Sequence, residues 1–108
     1  MSKEKLLGLN FREKEITLGD EKYVVKEMNA DKAQKYESSL YKFVGENIKY
    51  DASEAKTRLV LFTLHDLEGK RVFDDKDYGL VKDLPAHIVD KVFQIASNLN
   101  NMEDAEKN

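Results

Sequence analysis

The order of parts in the second half of the chain most constrains what it can fold into. An apolar run at residues 59–62 is followed by an acidic turn that contains Gly69, and then by an acid-rich segment around Asp74. Pro85 opens a segment with apolar residues on one face. Because Pro is favoured in the first turn of a helix, this segment is predicted to be an amphipathic helix. The mixture of extended and helical signals predicts a small α+β domain.

The size and charge of the chain narrow its class. Its 108 residues fit one domain with one core, and 41% of them are hydrophobic. The net charge is −3, with cations scattered among acids, so nucleic acid is disfavoured as a partner. The chain has no Cys, which excludes disulfides and thiolate chemistry. Its apolar runs are short, so we expect no membrane partner and a cytoplasmic location.

Three segments are predicted along the chain. Residues 1–14 are charged and irregular, and are interpreted as a flexible N-terminal arm. Residues 15–100 are predicted to form a single α+β domain, in which an N-terminal β-hairpin packs on three to four α-helices. Residues 101–108 are interpreted as a mobile acidic tail.

Residues 15–28 are predicted to form the β-hairpin. Ile16 and Leu18 alternate with polar residues, and residues 23–25 are β-prone. Gly19 lies between the two runs, where a tight turn favours a residue that accepts a positive φ. A lone hairpin is marginal in water, so we expect it to pack on helices.

Residues 29–46 are predicted to form one helix. Asn29 is a suitable N-cap, and Gly45 fits the C-terminal end. Apolar residues recur at helical spacing and are predicted to face the core. This stripe consists of Ala33, Tyr36, Leu40, Phe43 and Val44, and Tyr41 beside it is expected at the surface.

Residues 51–67 support two alternatives. Asp51 and Glu54 have the spacing of a capping box, and apolar residues then recur at helical spacing, which favours a central helix. The run at residues 59–62 also fits a buried strand that pairs with residues 70–73. Helix and strand therefore both stay open for residues 55–66.

The C-terminal half is predicted to contain two further helices. Asp74 or Asp75 caps a short one that reaches about Lys82. Its inward side chains are predicted to be Leu80, Val81 and Leu84. The last helix follows Pro85 and presents a broad apolar stripe to the core, made of Ile88, Val89, Val92, Phe93, Ala96 and Leu99.

Residue types used in catalysis occur without catalytic patterns. His65 and His87 lack the second His and the Glu that a zinc helix requires. The cluster of Asp74, Asp75 and Asp77 lacks the spacing and the central Gly of a calcium loop, and is interpreted as helix capping. We therefore predict no enzyme, no catalytic residue, no cofactor and no metal site.

A resemblance to a known family adds to this interpretation. The order of hairpin, helix, apolar segment, acidic Gly turn, helix and Leu-Asn resembles the small tail assembly chaperones of phages with long flexible tails and of related prophages. The residues that carry it are Asp66, Gly69, Phe73, Asp75, Leu99, Asn100 and residues 106–108. The resemblance covers residues 15–108. Family members often have Gly where this chain has Asn101.

The resemblance implies a function that involves no catalysis. Residues 15–100 are then a chaperone domain that binds the long, largely helical tape measure protein during tail morphogenesis. Such chaperones keep that protein soluble and are absent from the finished virion. Further partners that the resemblance suggests are the tail tube protein, a longer frameshifted form of the chain and further copies of itself.

A partner surface is predicted at the outer edge of the last helix. Phe93 and Leu99 lie there, and Met102 follows. A flexible Met suits a binding surface that must adapt to its partner. The alternative for Phe93 and Leu99 is that both belong to the core. The alternative function is a small structural or adaptor protein of a phage or bacterium, such as a tail or head-completion component.

Overall fold

The computed structural model describes residues 2–100 of the chain. The helices are α1 (Lys3–Leu7), α2 (Ala30–Ser39), α3 (Ala55–Thr63), α4 (Tyr78–Lys82) and α5 (Ala86–Asn100), and a 3-10 turn at Asp75–Asp77 precedes α4. The strands are β1 (Glu13–Leu18), β2 (Glu21–Lys26), β3 (Tyr41–Val44), β4 (Asn47–Tyr50) and β5 (Leu64–His65). This confirms the α+β class with an N-terminal hairpin packed on helices. The predicted mobile tail, residues 101–108, lies outside the described residues.

The predicted first hairpin is formed by β1 and β2. Gly19 has a φ of 67°, which confirms its role in the turn between the strands. Ile16 and Val25 are buried against the helices, as a hairpin of this kind requires. β5 pairs with β2 on its other edge, so the sheet has the order β1-β2-β5.

The segment predicted as a flexible N-terminal arm contains α1, and all five residues of this helix are exposed. Beyond it, the backbone N–H of Arg12 donates to the Glu27 carboxylate over 2.8 Å. The backbone N–H of Glu27 donates back to the Arg12 carbonyl, also over 2.8 Å. These two bonds fix the entry of β1 beside the exit of β2, and β1 starts at Glu13, before the predicted boundary at residue 15.

The single helix predicted over residues 29–46 is wrong beyond Ser39. Its start is as expected, because the Asn29 side chain accepts the backbone N–H of Lys32 over 2.8 Å. The helix stops at the Leu40 cap, and residues 41–50 form a second hairpin from β3 and β4. Gly45, which was expected to end the helix, lies in the turn of this hairpin with a φ of 66°.

The predicted burial of the apolar stripe fails for the same reason. Phe43 and Val44 leave the helix direction and become 80% and 52% exposed, although both were expected in the core. Ala33 and Tyr36 remain partly buried on α2, and Tyr36 packs against the core. Tyr41 is exposed, as expected. The change from helix to strand at residue 41 therefore turns predicted core residues into surface residues.

The two alternatives for residues 55–66 are each realised in part. α3 is a helix that ends at Thr63, and β5 follows at once. The backbone N–H of Val72 donates to the Leu64 carbonyl over 3.0 Å, close to the pairing that the strand alternative required. Because the helix supplies most of this segment, residues 59–62 reach the core from several sides of α3 rather than from one strand face.

The predicted capping box before this helix is wrong. The Asp51 side chain accepts the backbone N–H of Ser53 over 2.9 Å, but α3 begins only at Ala55. Glu54 therefore occupies the N-cap position, and its side chain makes no capping bond. Asp51 is drawn instead towards the base of the second hairpin.

The core is centred on α3, as predicted for the central helix. Val60 of α3 is fully buried, and α2, α4 and α5 pack against this helix. Val81 of α4 and Val92 and Ala96 of α5 are also fully buried. Complete burial of an aliphatic side chain contributes about 1.5–3 kcal/mol. The contact between α3, α4 and α5 is therefore a main source of stability.

The predicted cap of the short helix is present. The Asp74 side chain accepts the backbone N–H of Lys76 over 2.8 Å, and the Asp77 carboxylate accepts the backbone N–H of Asp74 over 3.0 Å. This is a reciprocal capping box. Val81 points into the core as predicted, but Leu80 is 57% exposed and its predicted inward position is wrong. Consecutive helical residues are about 100° apart, so a short helix that buries Val81 turns Leu80 away.

The last helix follows Pro85 as predicted and is anchored at its far end. The Asn100 side-chain oxygen accepts the backbone N–H of Met28 over 3.0 Å. Its side-chain nitrogen donates to the Ala96 carbonyl over 2.7 Å. These bonds fix the end of α5 against the segment that joins β2 to α2.

Candidate partner-binding surface

The second hairpin is built by a short, locally encoded turn. β3 and β4 are joined by the two residues Gly45 and Glu46. Gly45 has a positive φ, whereas no residue other than Gly has one in the described chain, so the turn is of type II′. Turns of this type match the twist of paired strands and require Gly at the first position.

The register gives this hairpin two different faces. Tyr41 lies opposite Tyr50, and Phe43 lies opposite Ile48, so all four side chains share one face. The two Tyr rings meet edge to face, with 5.5 Å between their centroids. We call this set the apolar hairpin face. The opposite face carries Lys42, Val44, Asn47 and Lys49.

The apolar hairpin face is open to solvent. Every residue of β3 and β4 is exposed, and Phe43 and Tyr50 reach 80% and 64%. From the usual size of such side chains, the open apolar area is on the order of 400 Å². Patches of this size on soluble proteins are often interaction sites, and a two-stranded hairpin is marginal by itself in water. The geometry therefore suits a surface that is covered by a partner.

Polar contacts at the base attach the hairpin to the domain. The backbone N–H of Asp51 donates to the Leu40 carbonyl, which closes the loop that contains both strands. The Lys42 ammonium lies 2.9 Å from the Asp51 carboxylate. This ammonium and the Ser53 N–H hold the pKa of Asp51 well below its ordinary value. The pair also offsets the repulsion between Lys42 and Lys49, which lie opposite each other.

A second apolar region lies in the segment before β1. Leu6, Leu7, Leu9 and Phe11 are all at least 49% exposed. They follow one another along α1 and the segment that joins it to β1. The sequence singled out these positions as apolar points but did not predict them as a surface.

The residues predicted to contact a partner are separated by the fold. Phe93 and Leu99 are partly buried and pack against the core, and the Lys56 ammonium lies 5.8 Å from the Phe93 ring centroid. Phe93 and Leu99 are six residues apart on α5, so their side chains leave the helix axis in directions that differ by about 120°. The two side chains therefore do not form one patch. Met102 lies outside the described residues. Their role as partner contacts stays a prediction.

The histidine and acidic residues near the Gly69 turn have structural partners. The Asp66 carboxylate accepts the backbone N–H groups of Glu68 and Lys70 over 2.8 and 3.0 Å, which shapes the turn. His65 is partly buried beside it, and burial lowers its pKa below the ordinary 6.5. Within residues 2–100, no group of three His, Asp or Glu side chains is placed to hold a metal ion. No helix in that part of the chain is long and apolar enough to cross a membrane.

The overall fold is that of a phage tail assembly chaperone. The solved structure that establishes this likeness is the bacteriophage HK97 tail assembly chaperone, at a TM-score of 0.66 and 18% sequence identity. The match covers 90% of this chain and 96% of that chain. No protein-family model and no curated protein matches the sequence. The likeness confirms the resemblance inferred from the sequence motifs, at the level of the fold, and the neighbour is a chaperone rather than an enzyme.

Proposed function

We propose that this chain is a tail assembly chaperone of a phage or prophage with a long flexible tail. It acts in the cytoplasm of the host cell, where it binds the tape measure protein and keeps it soluble until the tail tube forms. It is absent from the mature virion. The observation that carries this proposal is the apolar hairpin face, open to solvent on a domain with the chaperone fold.

The dimensions of the apolar hairpin face suit a helical partner. Its strands have four residues each, which corresponds to a length of about 13 Å. Two turns of an α-helix span about 11 Å. A long, largely helical protein exposes apolar stripes that aggregate when uncovered, and the apolar hairpin face offers each stripe a matching cover.

The charge of the chain suits the same role. Its net charge is −3, and charged residues make up 36% of the sequence. Copies bound along an apolar protein place that charge at the surface of the complex, which opposes aggregation. The tail tube protein, a longer frameshifted form and further copies of the chain are additional proposed partners. Phe93, Leu99 and Met102 remain proposed as a secondary contact.

Co-expression with the tape measure protein tests the binding step. We expect the tape measure protein to be insoluble when expressed alone and soluble when this chain is present. A stable, unrelated acidic protein of similar size, expressed at the same level, is the control for non-specific effects. Equal solubility with the control would contradict the proposal.

Purified virions separate the proposed function from the structural alternative. An exposed apolar face also suits a tail or head-completion component that is covered permanently. Mass spectrometry of mature particles should detect the tail tube protein and not this chain. A stoichiometric amount of the chain in the particles would favour the structural component.

A further inference from the structure

A cationic cavity lies away from the second hairpin, between β2, the start of α2 and the Gly69 turn. Its volume is about 260 Å³. Lys26, Lys32 and Arg71 contribute positive charges to its lining, and Phe11 and Phe62 contribute apolar walls. The three cations come from separate elements, and they collect positive charge in a chain whose net charge is −3.

Two nearby acids offset only part of the positive charge of this cavity. Glu27 lines it and accepts the Arg12 backbone N–H, and Asp75 lies 3.0 Å from the Arg71 guanidinium and also interacts with Lys32. Three cations against two acids leave the surroundings of the cavity positively charged. Within residues 2–100, Lys26 and Lys32 make no ion pair. Two ammonium groups therefore face the cavity with no carboxylate of the described residues bound to them.

Two of the three cations, Lys32 and Arg71, contact the ring of Phe62. The Lys32 ammonium lies 5.5 Å from the Phe62 ring centroid, and the Arg71 guanidinium lies 5.6 Å from the same centroid. Arg71 also donates to the Leu61 carbonyl over 3.0 Å. The positive charges of Lys26 and Arg71 add to burial in lowering the pKa of His65, which also lines the cavity.

We propose that this cavity binds a carboxylate side chain of a protein partner, with Lys26 and Lys32 as its ligands. Ammonium groups form strong, short hydrogen bonds with carboxylates. The apolar walls accommodate a hydrophobic residue next to the acid. A partner peptide that combines acidic and apolar residues fits this lining, whereas an extended polyanion is repelled by the negative charge of the rest of the chain.

An NMR titration of the full chain tests the proposal. The probe is the peptide acetyl-Leu-Glu-Glu-Leu-amide, and acetyl-Leu-Gln-Gln-Leu-amide is the matched uncharged control. We expect saturable shifts of the Gly69 amide and the His65 ring with the Glu peptide, and none with the Gln peptide. The pKa of His65 should rise when the Glu peptide is bound.

Two pairs of substitutions locate the binding groups. K26Q/K32Q should weaken binding of the Glu peptide at least tenfold, while thermal unfolding should stay cooperative, with a midpoint lowered by no more than the loss of the Lys32–Phe62 contact requires. K14Q/K76Q removes the same charge from two exposed lysines and should bind as the natural chain does. Equal binding of both peptides, or undiminished binding by K26Q/K32Q, overturns the proposal.

A third variant tests whether the carboxylate comes from the chain itself. Glu103, Asp104 and Glu106 follow α5 in the sequence and are acids within the same polypeptide. E103Q/D104N/E106Q should leave the Gly69 and His65 signals unchanged before peptide is added. If the variant shifts those signals and binds the Glu peptide more tightly, the carboxylate is intramolecular and the partner proposal is overturned.

Discussion

Replacement of Phe43 and Ile48 by Thr should remove partner binding and leave the domain folded. The two residues lie opposite each other on the apolar hairpin face. Thr retains a high preference for strands, so the change removes apolar surface without weakening the backbone pairing. Asn47→Thr/Lys49→Thr is the matched control, because these two exposed residues lie on the opposite face of the same hairpin.

The exposure of the two side chains sets the expected magnitudes. Phe43 is 80% exposed and Ile48 is 63% exposed. Full burial of such a side chain contributes about 1.5–3 kcal/mol, so the free chain loses only about 1–1.5 kcal/mol of unfolding free energy. Burial of the exposed parts by a partner contributes about 3 kcal/mol in total. Its loss corresponds to a roughly 100-fold increase in Kd.

Two measurements separate these effects. Urea unfolding gives the free energy of unfolding for each variant. Titration calorimetry with a soluble, helical segment of the tape measure protein gives the Kd. For Phe43→Thr/Ile48→Thr we expect a small change in the free energy of unfolding and a large change in Kd. For Asn47→Thr/Lys49→Thr we expect small changes in both.

Two results would refute this reasoning. Unchanged binding by Phe43→Thr/Ile48→Thr would exclude the apolar hairpin face as the contact. A loss of more than about 3 kcal/mol in unfolding free energy would mean that these side chains support the core, since that is the cost expected for buried residues.

Four further outcomes follow from particular residues. Gly45→Ala should strain the turn by about 1–2 kcal/mol, because its φ is 66°, and NMR should show weaker β3–β4 pairing. Asp74→Ala should reduce the free energy of unfolding by about 1 kcal/mol through loss of the cap, measured in urea. Burial and the nearby Glu54 carboxylate raise the pKa of Tyr78 to about 12. The contribution of the un-ionised Tyr78 side chain to the free energy of unfolding is therefore complete below pH 10 and is lost as the pH rises from 10 to 12. The free energy of unfolding should therefore fall by about 1–2 kcal/mol less between pH 9 and pH 12 in Tyr78→Phe than in the natural chain, as measured by unfolding at the two pH values. Met102→Asp should reduce solubilisation of the tape measure protein without changing thermal unfolding, and unchanged solubilisation would remove Met102 from the contact.

The parts of the fold that were predicted correctly have local and unambiguous signals. Gly19 between two alternating runs specifies the first hairpin, and Pro85 before a broad apolar stripe specifies α5. For residues 55–66 the sequence supported a helix and a strand, and the structure uses both in succession. The change from helix to strand occurs after Thr63. The hydroxyl of this buried residue donates to the Leu59 carbonyl over 2.7 Å, so its hydrogen-bonding need is met within the helix end.

The second hairpin was missed because its apolar residues fit two periods. Leu40, Phe43 and Val44 continue the helical stripe of α2, yet Tyr41 and Phe43 also alternate as in a strand. The decisive signal was Gly45, which was interpreted as a helix end although a two-residue turn also requires Gly at this place. Short hairpins and helix ends share Gly, so the pairing of the following strand decides between them.

The cationic cavity had no signal in the sequence. Lys26 ends β2, Lys32 lies in the first turn of α2, and Arg71 follows the Gly69 turn. These positions are far apart along the chain, and from the sequence each of them is interpreted as a solvated charge. They come together only because β5 places the Gly69 turn beside β2 and the packing of α2 on α3 brings Lys32 to Phe62.

The failed core prediction and the proposed function both involve Phe43, and the same physical reason accounts for both. Phe43 is apolar enough to be predicted as a core residue, and Ile48 lies opposite it in the hairpin, but the isolated chain leaves both side chains exposed. Local sequence and folded environment agree along most of a natural protein, and they conflict where side chains are selected for another molecule. A hairpin that is marginal alone and apolar on one face gains stability when a helix covers it. The conflict at residues 41–50 is therefore best explained by a surface that completes its packing on the partner.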